Sequence, residues 1–324
     1  MKNTKKLAAV MMMLLLALGM LAGCGEKTPE TVSEIVKVGA LNGPTGMGMV
    51  QMMDMTDKYE ITTYQAPTDV VAKITNGEID VAAVPSNLAA VLYNKTEGQI
   101  VAISPITLGV LHILGNNVDV EDVEDLKGMT IVASGQGGTP EYVLQKVLAD
   151  AGLSIYEDVN VEWLSNHAEV NTKLLTTEGC VAMIPEPFVS TALAAKKDGV
   201  ENIFDVNDLW DEATGEELPM GVLIATKSFV EERENDLKVL LKDLEASVEY
   251  VNENPAEAAK DIVTKGFIGK EEIAKAAIPN CNIVLYADDD KDEGREMLKV
   301  FNNTLFEMNK ASIGGKLPNE DLYY

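Results

Sequence analysis

Ile79-Asp80-Val81-Ala82-Ala83-Val84-Pro85-Ser86-Asn87 is an apolar run that stops at a proline and two residues favoured at helix starts. It reads as a buried strand handing the chain to a helix. Further on, Val181-Ala182-Met183-Ile184-Pro185-Glu186-Pro187 repeats the form. Working outward, each run has a Gly-rich turn upstream: Gly43-Pro44-Thr45-Gly46 before the first, Gly137-Gly138-Thr139-Pro140 before the second. Both blocks then read as strand, Gly-rich turn, helix, strand, helix, strand, Pro-rich turn, helix. Such alternation predicts βαβ units around parallel sheets, so an α/β protein of two lobes. The finer reading places strands at Val36–Leu41, Ile100–Ile103, Thr107–Leu114 and Met220–Thr226. It places helices at Met47–Met55, Phe188–Lys197 and Val230–Asn252.

Composition agrees with a folded chain of this size. The 324 residues are 46% hydrophobic and 24% charged, enough apolar content for a core and enough length for two domains. With 26 Lys+Arg against 52 Asp+Glu, the net charge is −26. No basic stripe offsets it, so nucleic acid is not an expected partner. Two His and three scattered Cys give no spacing for a metal site, and none is expected. Cys180 and Cys281 read as core thiols more readily than as a disulfide.

The N-terminus sets the compartment. Lys2, Lys5 and Lys6 precede the apolar run Leu7–Met20, and that run ends in Leu21-Ala22-Gly23-Cys24. This is the form of a secretory signal peptide over residues 1–23. The tetrapeptide resembles the lipobox of bacterial lipoproteins, in which the Cys thiol takes a diacylglycerol. Residues 24–35 then read as a polar tether from a lipidated Cys24. Acyl chains would hold the protein at the outer face of the bacterial cell membrane without spanning it.

With the lipobox, the twin lobes and the strand Gly77-Glu78-Ile79-Asp80-Val81-Ala82-Ala83-Val84-Pro85, the chain resembles the solute-binding lipoproteins of ABC importers. Within them it is similar to the NMT1/THI5-like group, on Leu41–Met49, Leu92-Tyr93-Asn94-Lys95 and Pro185-Glu186-Pro187-Phe188. That group includes receptors for thiamin-precursor pyrimidines, riboflavin, alkanesulfonates and nitrate. The resemblance implies a two-lobed periplasmic-binding-protein-like (type II) fold with two crossover strands at the hinge, Thr107–Leu114 and Met220–Thr226. Lobe 1 would be residues 36–110 plus 224–324, and lobe 2 residues 111–223. It also implies a monomeric, non-catalytic receptor without cofactor, whose partners are a small solute, an ABC permease and its ATPase.

The strand-to-helix turns supply the candidate site, because ligands of open α/β sheets bind at the carboxyl ends of strands. Thr45 and Gly46, with Asn42 before them, read either as donors to a ligand or as a local cap and turn. Ser86 and Asn87 read as helix caps or as cleft groups. Thr107 begins the first crossover. Gly137 and Gly138 allow close backbone approach, and Thr139 reads as the cap of a helix entered by Pro140. The Gly-rich turn lacks the Gly-Lys-Ser/Thr of a P-loop. Glu141 reads first as a helix-start acid. Glu186, between two prolines, reads equally as such an acid or as an acceptor for an amino group. His167 lies where a cleft-facing loop is expected, with Asn166 a candidate cap.

Arg233 and Arg295 are the only arginines, and both lie outside these turns. An oxyanion clamp ordinarily uses such side chains, so the ligand reading leans to a neutral or amino-bearing heterocycle. A sulfonate or nitrate receptor remains the alternative. So does an enzyme on the same fold, a pyrimidine synthase or a menaquinone-precursor enzyme, because fold does not fix function. A surface sensor or adhesin is a third reading.

Overall fold

The computed structural model of the chain describes residues 31–324. The signal-like segment, Cys24 and the start of the tether lie outside the described residues. Among the described residues no helix is long and apolar enough to cross a membrane.

The first block runs β1 (Val36–Leu41), α1 (Pro44–Met47), β2 (Tyr59–Tyr64), α2 (Pro67–Thr75), β3 (Val81–Pro85), α3 (Ser86–Lys95) and β4 (Ile100–Thr107). The second runs β5 (Leu111–Asn116), β6 (Thr130–Ser134), α4 (Thr139–Asp150), β7 (Asn160–Leu164), α5 (His167–Thr176), β8 (Val181–Pro185), α6 (Phe188–Ala194), β9 (Val200–Asp205) and α7 (Val206–Thr214). The chain then returns through β10 (Gly221–Thr226) to α8 (Lys227–Glu232), α9 (Glu234–Glu253), α10 (Pro255–Thr264), α11 (Glu271–Ala277) and α12 (Lys291–Met308).

Two five-stranded sheets result, in the orders β2-β1-β3-β10-β4 and β7-β6-β8-β5-β9. The orders are the same pattern used twice. In each, a strand from the crossover region slots between the third and fourth strands of the block. These inserted strands, β10 and β5, run antiparallel to both neighbours. The expectation of parallel sheets is therefore corrected: each sheet is mixed. By sheet membership the chain passes from the first lobe to the second between Thr107 and Leu111. It returns at Gly221.

Four sequence expectations change for local physical reasons. Met47–Met55 is not one helix. It is the single turn α1, then a run of turns and a short 3₁₀ segment at Met52–Asp54. Gly46 and Gly48 weaken helix propensity there. Met47, Met49, Val50 and Met52 are all buried, a spacing that does not fall on one face of a helix. Thr107–Leu114 is not one strand. Thr107 ends β4, and Leu108–Val110 form a bend before β5. Pro105 sits in β4 at a register shift against β10, a place where a missing N–H is tolerated. The helix over Val230–Asn252 breaks at Arg233, whose backbone leaves helical geometry (φ −126°, ψ 38°). Finally, β9 and α7 fill a stretch that carried no expected element. The edge strand β9 has no fully buried residue, and its apolar signal is weak.

Arg233 also anchors the start of the fold. Its guanidinium reaches Asp236, Asp80 and the Glu34 carbonyl. The buried Asp236 carboxylate accepts from both the backbone N–H and the hydroxyl of Ser33, each at 2.7 Å. The end of the tether is thus pinned to α9. Cys180 and Cys281 are buried free thiols.

The lobes meet through buried contacts. One apolar core cluster takes residues from both, including Val84 and Phe301 of the first lobe with Met183 and Trp210 of the second. The α6 helix packs on α11 across the junction.

Candidate functional site

The register of the first sheet brings three candidate positions together. Gly221 pairs with Pro85 on one side and Thr107 on the other. Ser86 N donates to the Met220 carbonyl at 3.2 Å, and Met220 N donates to the Thr107 carbonyl at 2.9 Å. A Cβ on Gly221 would lie 2.7 Å from the Thr45 methyl and 3.4 Å from Thr107 Oγ1. Only glycine lets these two threonines close over the strand. Sequence reasoning missed Gly221, because nothing marks one glycine at a strand start as a point of close approach.

Ser86 is 0% and Thr107 2% exposed, and neither hydroxyl oxygen has a hydrogen-bond partner among the described residues. A buried unpaired hydroxyl costs about 1–3 kcal/mol. The two residues flank the start of β10 on its two sides. Ser86 does not cap α3: the N-cap is Pro85 and no side chain caps that end. Thr45 Oγ1 reaches only the Leu41 carbonyl at 3.5 Å, so it is not a cap for α1 either. Gly46 is buried, and a Cβ there would meet Leu41 O at 2.6 Å and the Phe267 ring. Asn42 is exposed, its N–H bonded to Tyr64 O.

Asn87 and Thr139 are brought together across the junction. Thr139 Oγ1 donates to Asn87 Oδ1 at 3.2 Å and accepts from Asn87 N at 3.5 Å. Asn87 Nδ2 donates to the Ser312 carbonyl. Thr139 is therefore not the cap of α4 but its first residue, and Gly138 is the N-cap. The polar atoms of this pair satisfy one another and latch lobe to lobe.

Glu141 takes the local role. Its carboxylate accepts from Gly137 N at 2.6 Å and from Gln145 and Tyr156. Gly137 supplies the positive φ (78°) that this turn requires.

Glu186 is 2% exposed. Its N–H donates to Val110 O, and its carboxylate accepts from Ser190 N (3.1 Å) and Ser190 Oγ (3.0 Å). Burial pushes its pKa up, while the Ser190 bonds and the Asn280 amide oppose that. The Glu186–Pro187 peptide bond is cis. This carboxylate starts α6 and also faces the first lobe at Asn280 and Cys281.

His167 opens α5, half-buried, with Asn166 capping that helix through Glu169 N at 2.9 Å. Its Nδ1 lies 2.6 Å from Ser134 Oγ at the end of β6, and its ring tilts against Phe188 at 5.6 Å. Burial drives its pKa down to about 4, so the ring is neutral near pH 7. The unfolded chain takes that proton near the ordinary 6.5. Stability contributed above pH 6.5 is therefore lost as pH falls through about 4. His167→Gln, which keeps a partner for Ser134, should lose less stability than wild type between pH 7 and 4. Denaturant melts at several pH values measure this, and parallel curves would refute it.

The bend between β4 and β5 is gripped from both lobes. Asn282 of the first lobe accepts from Leu108 N at 2.9 Å, and its side chain bonds to the Gly109 carbonyl. Asn207 of the second lobe packs its amide onto Gly109 and is itself tied to Asp205. Neither asparagine has a sequence signal, since both act through contacts set by topology. Among the described residues, no group of three His, Cys, Asp or Glu is placed to hold a metal. Among the described residues, no Lys or Arg side chain is hydrogen-bonded or ion-paired to Ser86, Thr107, Glu186 or His167. Arg233 is engaged with Asp80 and Asp236, and Arg295 with Glu320.

Residues 45–265 match the NMT1-like family. Curated protein sequences give no match. Among solved structures, an ABC transporter protein from Parabacteroides distasonis superposes with a TM-score of 0.73 at 20% identity. The match covers 90% of this chain and 99% of that one. The alkanesulfonate-binding protein of Xanthomonas axonopodis pv. citri, bound to MOPS, gives 0.68 at 14% identity, covering 91% and 99%. The periplasmic nitrate-binding protein of Synechocystis PCC 6803 gives 0.61 at 12% identity, covering 91% and 88%.

Proposed function

The chain belongs to the NMT1-like family, and from that premise we propose that it is the extracytoplasmic solute receptor of an ABC importer. It captures a small molecule between its lobes and delivers it to a permease driven by its ATPase. Cys24 carries the lipid that keeps the receptor at the membrane, and the receptor works as a monomer without cofactor or turnover. The observation that carries this reading is the pair of unpaired, buried hydroxyls of Ser86 and Thr107 at the lobe junction. Both hydroxyls belong to the first lobe, so a solute held there favours the closed arrangement through the contacts it adds with the second lobe. Thr45 and Gly46 line the same point, and Asn87 with Thr139 holds the lobes around it.

The ligand class follows from charge. Glu186 faces the junction, His167 is neutral, and both arginines are engaged elsewhere. A neutral or amino-bearing heterocycle fits this better than an oxyanion. The structural neighbours named for an alkanesulfonate and nitrate favour the second reading, with backbone N–H groups as donors.

Calorimetry on residues 25–324 separates the two. Cytosine and 4-aminopyrimidine are titrated beside MOPS and nitrate, and each compound is recovered and weighed for chemical change. The proposal expects 1:1 binding of a heterocycle, recovered intact. Binding of MOPS or nitrate alone would move the assignment to an oxyanion, and a converted compound would make the protein an enzyme.

A further inference from the structure

Trp210 carries a polar group that nothing so far uses. It lies on α7, is 1% exposed, and its indole N–H has no hydrogen-bond partner among the described residues. A buried Trp N–H ordinarily finds one. The other tryptophan conforms: Trp163 Nε1 donates to Tyr156 OH at 2.8 Å. The location of Trp210 explains the difference. Its ring meets Phe301 of the first lobe at 5.8 Å and 49°. Phe301 sits on α12, which packs on both β4 and α3, the elements that carry Thr107 and Ser86. One turn before Trp210, Asn207 touches the bend at Gly109. Trp210 thus packs its ring against the first lobe at the junction, and it carries an unspent donor there.

We infer that Trp210 is a further ligand contact, its indole N–H donating from the second lobe to a ring-nitrogen or carbonyl acceptor of the solute held by Ser86 and Thr107. This rests on the receptor reading. It adds the class of group that the solute must carry, an acceptor on a flat frame that fits beside the Trp210–Phe301 pair. A donor from lobe 2 and two hydroxyls from lobe 1 make binding depend on both lobes, so the same contacts that recognise the solute reward closure.

Trp210→Phe tests it, because the ring contact with Phe301 is kept and only the N–H side is lost. Protein stripped of solute by unfolding and refolding is melted first. The variant should match or exceed wild type, since an unpaired donor has been removed. A clear drop would mean that the N–H has a partner within the chain, and would overturn the inference. Cytosine is then titrated into wild type, Trp210→Phe and Trp163→Phe. In the last, Trp210 is the sole fluorophore, because the chain has 2 Trp. Expected are an emission change in Trp163→Phe and about tenfold weaker binding by Trp210→Phe, the loss of one hydrogen bond. Unchanged affinity in Trp210→Phe would overturn the inference while leaving the receptor reading intact. A wild type that binds neither cytosine nor 4-aminopyrimidine would count against the heterocycle assignment, and the melting comparison then decides whether the indole is unpaired.

Discussion

Alanine in place of Gly109 forces the lobes out of their observed arrangement. The new Cβ would lie 1.8 Å from Asn207 Oδ1, 2.2 Å from Cγ and 2.8 Å from Cβ. Rotating the Asn207 amide relieves the first two contacts but breaks its bond to Asp205 and leaves the third. Gly109 has no positive φ, so alanine costs nothing in the backbone, and the whole effect is steric. Overpacking of this kind typically costs about 1–3 kcal/mol. The bend offers a cheaper escape, since Asn207 belongs to one lobe and Asn282 grips Gly109 from the other. Small-angle scattering should report a larger radius of gyration for Gly109→Ala, with a lowered Tm. Gly109→Ala combined with Asn207→Ala should recover most of both, because the two closest contacts vanish. Wild-type scattering from the single variant would refute the role given to this bend.

Replacing the two unpaired hydroxyls should move stability and affinity in opposite directions. Ser86→Ala and Thr107→Val keep nearly the same volume and delete one polar atom each. In solute-free protein each removes a desolvation cost, so the double variant should melt above wild type. Towards a solute that uses both hydroxyls it should bind roughly a hundredfold more weakly, about tenfold for each lost hydrogen bond. A double variant that melts below wild type would show that the hydroxyls hold the fold rather than the ligand.

The repeated block was legible because it is written locally. An apolar strand, a proline and a polar helix start recur at Val81–Pro85 and Val181–Pro185, and both strands lie third in their sheets. Asn166 as a cap and Glu141 as a helix-start acid were legible for the same reason, since each acts within four residues of itself. What failed was set at a distance. The apolar stretch Met47–Met55 looks helical, yet it is mostly buried and interrupted by glycine. The antiparallel insertion of β5 and β10 depends on where the chain crosses between lobes. Thr139 looked like a helix cap because its partner, Asn87, lies in the other lobe. Ser86 and Thr107 could be nominated from their turns, but only the register through Gly221 brings them to one point. Trp210 had no signal beyond being one of the few aromatic residues.

The central claim is that this chain holds a small solute between its lobes without altering it. Native mass spectrometry of residues 25–324, after incubation with a metabolite extract and gel filtration, tests it most directly. The account predicts one equivalent of a small molecule per chain, released chemically intact on denaturation and lost from the Ser86→Ala/Thr107→Val protein. A chain that leaves the extract empty, or that returns a chemically changed compound, would contradict it.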